Sequence, residues 1–428
     1  MPNTHRIKGG KPVFAGAQGC VFDPALKCKH RPRDIYDGNV SKLGYTRSAE
    51  FEMREYEQIR PFITQIKNYD KYFNMRASVC EPDALGPEDL AGFNDVCHLF
   101  TETSIDASNV NANLDKLRAI NMPNLGTDLK GWMEQSPLDA HRLRRLNDHI
   151  SELLVRAVVP MNRLGVMHND LKSENLMMDR AGANVRIIDW GLAGIATPQA
   201  PIPARYFMNN PVTFNRPFST MLISDDLPPA PAPEEVAPFV ARLYREYRDL
   251  APIGHTYYAY IFEAMFGLPA EAANRMVNAA VEKYNADILR HYTDERREFR
   301  LHDYFSNVYR YNTDVWGTLS VFYIMFMLPR SHFILPDAVY HDMLRRYRAL
   351  FTTSVFVNGH LRMNVPHIVG QLRQISEAIT KPKHKAQSRS RFKPKIKTMK
   401  KTVRFNLGTR RQKNPRRIQR VPTPYPLR

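Results

Sequence analysis

Cysteine is scarce in this chain: four residues in 428, Cys20, Cys28, Cys80 and Cys97, none in a C-x-x-C pair. With no basic-plus-apolar leader at the N-terminus either, a reducing compartment is the natural reading. The CKH at positions 28–30 could be half of a metal site, but no second pair stands at a matching spacing, so it reads as a surface loop. Long apolar runs are also missing. The longest mostly apolar stretch, residues 319–328, has ten residues, too few to cross a bilayer as a helix, and reads as a buried helix. No repeat period appears. Acidic residues are absent from positions 381–428, which hold eighteen of the 61 Lys and Arg, leaving 43 basic against 43 acidic side chains in the rest. The body is therefore neutral, and the tail carries the whole excess of +18.

The richest stretch is residues 168–191, HNDLKSENLMMDRAGANVRIIDWG. It sets Asp170, Lys172, Asn175 and Asp189 on two loops separated by a short apolar hairpin. Asp170 can accept a hydroxyl proton, and Lys172, two residues on, can reach a transferring phosphoryl group. Asn175 and Asp189 offer the hard oxygen ligands that Mg²⁺ takes when nucleotide phosphates complete its shell.

Those residues resemble the catalytic and metal loops of protein kinases. H-R-D-L-x-x-x-N reads here as His168-Asn169-Asp170-Leu171-Lys172-Ser173-Glu174-Asn175, and D-F-G as Asp189-Trp190-Gly191. Upstream, Phe14-Ala15-Gly16-Ala17-Gln18-Gly19-Cys20-Val21 resembles the glycine-rich phosphate loop, with Phe14 at the first glycine position and Gly16, Gly19 and Val21 at the others. Glycines there let backbone N–H groups approach phosphate without a Cβ between. Lys42, in the strand-like Val40-Ser41-Lys42-Leu43, takes the place of the lysine that holds the nucleotide phosphates. Lys27 and Lys29 follow Val21 too closely to leave room for two strands and a turn.

Residues 48–63 then have helical apolar spacing behind a candidate Ser48 cap, with Pro61 ending or kinking the helix. The resemblance implies a glutamate on this helix paired with Lys42. Glu55, one turn before Ile59, is the choice, and Glu52 the runner-up. Residues 72–80 and 116–122 read as strands four and five around a polar loop with one helical turn. Residues 122–129 look like the hinge that meets an adenine edge. Positions 143–164 make a strongly amphipathic helix leading into the catalytic loop.

Beyond the metal loop no A-P-E is present. Residues 209–219 resemble instead the N-x-P-F-S segment of serine/threonine kinases of large nucleocytoplasmic DNA viruses, and positions 20–28 are similar to that group as well. Asn312-Thr313-Asp314-Val315-Trp316-Gly317 looks like the kinase helix whose aspartate holds the catalytic-loop backbone. Asn169, where regulated kinases carry arginine, argues that activity does not wait on an activation-loop phosphate.

The resemblance implies an α+β, two-lobed protein kinase-like fold. A β-rich N-lobe would cover residues 10–121, a helical C-lobe 122–379, and a disordered basic tail 380–428. It implies an ATP- and Mg²⁺-dependent serine/threonine kinase acting on proteins, viral in source, working in the host cytoplasm or nucleus or in the virion. Asp170 and Lys172 would be catalytic, with Gly16, Gly19, Val21, Lys42 and Glu55 at the nucleotide and Asn175 and Asp189 at the metal. A small-molecule kinase of the aminoglycoside or choline type, or a pseudokinase scaffold working through its tail, are the alternatives. The tail's dense charge suits DNA or RNA, and no membrane insertion is expected.

Overall fold

The computed structural model describes residues 10–16, 19–30, 38–207, 213–224, 226–250 and 252–380. The tip of the glycine loop at 17–18, the basic insertion at 31–37, positions 209–212 of the viral-type segment, and the tail at 381–428 lie outside the described residues. The fold is α+β and two-lobed, kinase-like, with a β-rich N-terminal region and a helical remainder.

Five antiparallel strands make the N-terminal sheet: β1 (Lys11–Gly16), β2 (Gly19–Asp23), β3 (Asn39–Tyr45), β4 (Ser78–Cys80) and β5 (Leu117–Pro123), in the order β1-β2-β3-β5-β4. Side chains alternate between the two faces. One face carries Cys20, Phe22, Leu43, Leu117 and Ala119, which form a core with Leu85, Phe93, Phe100, Val110 and Leu114. Those last five come from residues 81–116, where the sequence suggests a loop with one helical turn. The structure has three short helices and a 3₁₀ segment there, closing the outer face of the sheet. On the opposite face Val21, Lys42 and Ile120 stand abreast on β2, β3 and β5.

The cysteines, read from their spacing as belonging to a reducing compartment, are all paired: Cys20 with Cys97 and Cys28 with Cys80, at Cα separations of 5.3 and 5.8 Å. Both bridges tie β2 or the loop after it to the covering segment or the strand before it. Cys28 is thus not an open metal ligand, and among the described residues no cluster of three His, Cys, Asp or Glu is placed to hold an ion.

The helix α1 (Thr46–Ile63) follows β3 with no loop, two residues earlier than the Ser48 start predicted from sequence; Tyr45 caps it without a side-chain bond. Ala49, Met53, Tyr56, Ile59 and Ile63 bury one stripe of it. Each large apolar side chain so buried contributes about 2 kcal/mol. Pro61 lies inside the last turn, and the helix stops two residues later. Strand four is shorter than expected, because Tyr72 ends a small helix, Tyr69–Tyr72, and only Ser78–Cys80 pairs with β5.

In the C-terminal region the amphipathic stretch is helical from Ala140 to Leu153, passes through a π turn at Leu154–Val158, and resumes over Val159–Arg163. Asn147 inside it is buried but satisfied, donating to Ser376 Oγ at 3.1 Å and accepting from Tyr347 Oη at 2.7 Å. Helix Arg310–Leu319 is buried from Asn312 to its end. Three further helices, Val236–Leu250, Pro252–Phe266 and Ala270–Tyr292, precede it in the chain. No helix among the described residues is long and apolar enough to cross a membrane.

Candidate active site

The hairpin Leu176–Met178 and Val185–Ile187 aligns Leu176 with Ile187, and Ile188 N–H donates to Asn175 O at 3.1 Å. This register brings Asn175, just before one strand, beside the chain leading to Asp189, just after the other. The apolar hairpin between the two loops is therefore the device that assembles them. Gly126 lets the hinge run against this hairpin: its φ is +101°, and a Cβ there would meet Met178 O at 2.3 Å. Asp128 then caps the next helix, its Oδ1 accepting from Gly131 N–H at 2.8 Å.

Asp170 is fixed on both edges. Its Oδ2 accepts from Lys172 Nζ at 3.0 Å and from Asn175 Nδ2 at 2.9 Å, and Asn175 Nδ2 also donates to Asp170 O at 2.8 Å. Its Oδ1 accepts from Asn215 Nδ2 at 2.8 Å. Burial pulls the Lys172 ammonium down, but the charge and hydrogen bond of Asp170, together with the charges of Glu174 and Asp189, outweigh it and hold the group above its ordinary value. The loop rests on Asp314, whose Oδ2 accepts from His168 N–H at 2.9 Å and Asn162 Nδ2 at 2.6 Å, and whose Oδ1 accepts from Asn169 N–H at 2.8 Å. Asn169 itself is left-handed, with φ 62°, and buried. His168 Nε2 lies 2.8 Å from Ile188 O, which joins the catalytic loop to the start of the metal loop.

Lys42 Nζ lies 2.7 Å from Glu52 Oε2. The glutamate that meets Lys42 is Glu52, a correction to the choice of Glu55. The reason is the face of α1 that is buried: Glu52 stands three residues after Ala49 and four and seven before Tyr56 and Ile59, in line with the buried stripe, whereas Glu55 has only Ile59 at such a spacing. Burial lowers the Lys42 ammonium, but the charges of Asp189 and Glu52 more than offset it and hold Lys42 up. Burial works against ionised Asp189 as well; Lys42 and His168 outweigh it, and the carboxyl is held below its usual value.

Val21 stands directly opposite Lys42 in the sheet, on the cleft side. Gly19 is a packing requirement of that same strand pair, since a Cβ would meet Leu43 O at 2.5 Å and Lys42 Cγ at 3.1 Å. A Cβ on Gly16 would touch only Phe14 Cε1, at 3.7 Å, so the sheet places no such demand there. Phe14, at the first glycine position, is 61 % exposed. Trp190 lies against His168 and Phe73 at centroid distances of 4.9 and 5.9 Å, and its Nε1 is buried without a hydrogen-bond partner. A cavity of about 30 Å³ separates it from Met53 and Tyr56 of α1, with Glu52 and Asp189 also on its wall.

The donor set fits Mg²⁺: Asp189 is an ionised carboxylate, and because Asn175 Nδ2 is engaged by Asp170, the atom left to face a cation is the hard Oδ1. From the sequence Glu52 stood second to Glu55 as the partner of Lys42, and Asn215 had no role. For Glu52 the deciding signal was its place in line with Ala49, Tyr56 and Ile59; Asn215 is the Asn of the N-x-P-F-S segment, but its contact with Asp170, 45 residues away, is not written in that motif. Residues 110–200 match the model of the phosphotransferase enzyme family, APH, of the protein kinase-like superfamily, and this segment contains Asp170, Lys172, Asn175 and Asp189.

Proposed function

We propose that this chain is a protein serine/threonine kinase that moves the γ-phosphoryl group of ATP to a protein hydroxyl. The observation that carries the reading is Asp170 held between Lys172 and Asn175 on the same loop. In this reading Asp170 orients the acceptor hydroxyl and takes its proton as the new O–P bond forms and the bond to the β-phosphate oxygen breaks. Lys172 lies beside the transferring group and offsets its negative charge. Lys42, kept in place by Glu52, aligns the phosphates, and Asn175 and Asp189 hold the metal. Mg²⁺, when bound, neutralises charge on the phosphate oxygens. Most of the rate comes from positioning and preorganised charge.

Lys172 also favours serine or threonine over tyrosine, and the N-x-P-F-S likeness supports a viral source. A second reading, a small-molecule kinase, draws support from the match of residues 110–200 to the phosphotransferase enzyme family. Incubation with labelled ATP and Mg²⁺ separates the two, with a generic basic protein in one arm and aminoglycoside or choline in the other. Wild type labelling phosphoserine or phosphothreonine while Asp170→Asn labels nothing is the expected result. Label confined to the small alcohols would transfer the assignment to the second reading.

A further inference from the structure

The short run from Thr213 to Arg216 lies on the catalytic loop and is held there by groups from three other parts of the chain. Tyr258 Oη, fully buried, lies 3.3, 3.2 and 2.9 Å from the carbonyl oxygens of Thr213, Phe214 and Arg216. Trp316 Nε1 donates to Phe214 O at 3.2 Å, and buried Arg216 donates through Nε to Asn169 O at 2.9 Å. Gly317 allows the close approach, because a Cβ would meet Leu171 O at 2.5 Å and Asn215 O at 3.1 Å.

Within this strap Asn215 is 2 % exposed, and its amide can face only one way. Its Oδ1 accepts from Thr213 Oγ1 at 2.7 Å, and its Nδ2 donates both to Asp170 Oδ1 at 2.8 Å and to Leu171 O at 3.2 Å. The flipped amide would set an oxygen against a carboxylate and a carbonyl. Both hydrogens of the amide are thus engaged, one on the carboxylate and one on the backbone that follows it.

A carboxylate has about four lone-pair sites. Lys172 and Asn175 occupy the two on Oδ2, and Asn215 occupies one on Oδ1. One site on Oδ1 remains for an incoming hydroxyl. Among the described residues Asn215 is the only side chain that hydrogen-bonds Oδ1.

We infer that Asn215 is a positioning residue for phosphoryl transfer: by clamping Oδ1 of Asp170 it selects the single lone pair on which the acceptor hydroxyl docks. The inference rests on the phosphotransferase reading. It differs from the roles of Lys172 and Asn175, which serve the phosphoryl group and the metal, because Asn215 acts only on the acceptor side. Its loss therefore affects the chemistry at the acceptor more than nucleotide binding.

Asn215→Leu, nearly isosteric and without a donor, and Asn215→Thr, which keeps one donor, are compared with wild type. Measured are kcat for transfer, the dissociation constant of Mg·ATP, and Tm. Asn215→Leu should lower kcat for transfer by about 10²-fold, the scale of a misplaced reacting group. Its Mg·ATP affinity should stay within about threefold of wild type, and Asn215→Thr should lie between the two in transfer rate. Transfer by Asn215→Leu at a rate near that of wild type overturns the inference. So does an equal fall in transfer and nucleotide affinity, and if Asn215→Leu does not fold, an Asn215→Thr variant with that uniform loss overturns it too. Wild-type protein that binds Mg·ATP but transfers phosphate to no acceptor overturns the underlying reading, and this inference with it.

Discussion

Lys42 and Glu52 form an ion pair of 2.7 Å between a strand and a helix that meet without an intervening loop. Both side chains are largely withdrawn from water, so the pair is not screened like a surface bridge. Glu52→Gln should leave Lys42 without its charged tether and lower transfer by roughly 10²-fold through misplacement of the phosphates. Glu55→Gln, three residues on, should stay within a few-fold of wild type. Steady-state rates at saturating ATP for the two variants decide between them, and equal losses would return Glu55 to the site.

Asp189 is the ionised carboxylate of the candidate metal pair. Asp189→Asn keeps the shape and removes the charge, so transfer should fall by several powers of ten while the melting temperature stays near that of wild type. Titration of activity with Mg²⁺ checks this. Full activity in the variant would remove Asp189 from the metal assignment.

The two disulfides close loops with sequence separations of 77 and 52 residues. On the chain-entropy account each stabilises the fold by about 4 kcal/mol. Alkylation of the native protein without reductant, followed by mass spectrometry, should find no modified cysteine. A reductant should lower the melting temperature markedly. Four alkylated thiols in native protein would show that the pairs form only as close contacts.

A chain ending near Ile379 should retain transfer activity and lose affinity for DNA and RNA. Full-length protein should bind both without sequence preference, log K falling by about 0.9 per log unit of salt for each duplex phosphate neutralised. Salt-insensitive binding, or binding that survives truncation, would assign any nucleic-acid contact to the body.

The residues between Asp170 and Asp189 were legible because their geometry is local: one loop, one hairpin and one register fix them. Asp314 was legible from its motif, and the structure puts its carboxylate on the catalytic-loop backbone. Glu52 was obscured because α1 offers two glutamates about one turn apart, each with Ile59 at a helical spacing, and only the packing of the helix decides which of them faces Lys42. The covering segment at 81–116 was hidden by its composition. Leu85, Phe93, Phe100, Val110 and Leu114 are scattered among Asp and Asn with no single period, and only the sheet's outer face makes them a core. Cysteine pairing and the contact from Asn215 to Asp170 depend on chain segments far apart in sequence, which spacing does not encode.

Gly317 sits on a helix buried in the C-terminal core and touches the catalytic loop and the strap at once. The underside of the site therefore has no hinge of its own, and its breathing is the breathing of the core. Backbone amides of His168 and Asn169, donated to Asp314, should exchange with deuterium only on the timescale of global unfolding, as slowly as amides of the helix Arg310–Leu319. Amides of the glycine-loop strands should exchange far sooner. Fast exchange at 168 and 169 would mean that the loop opens independently of the helix beneath it.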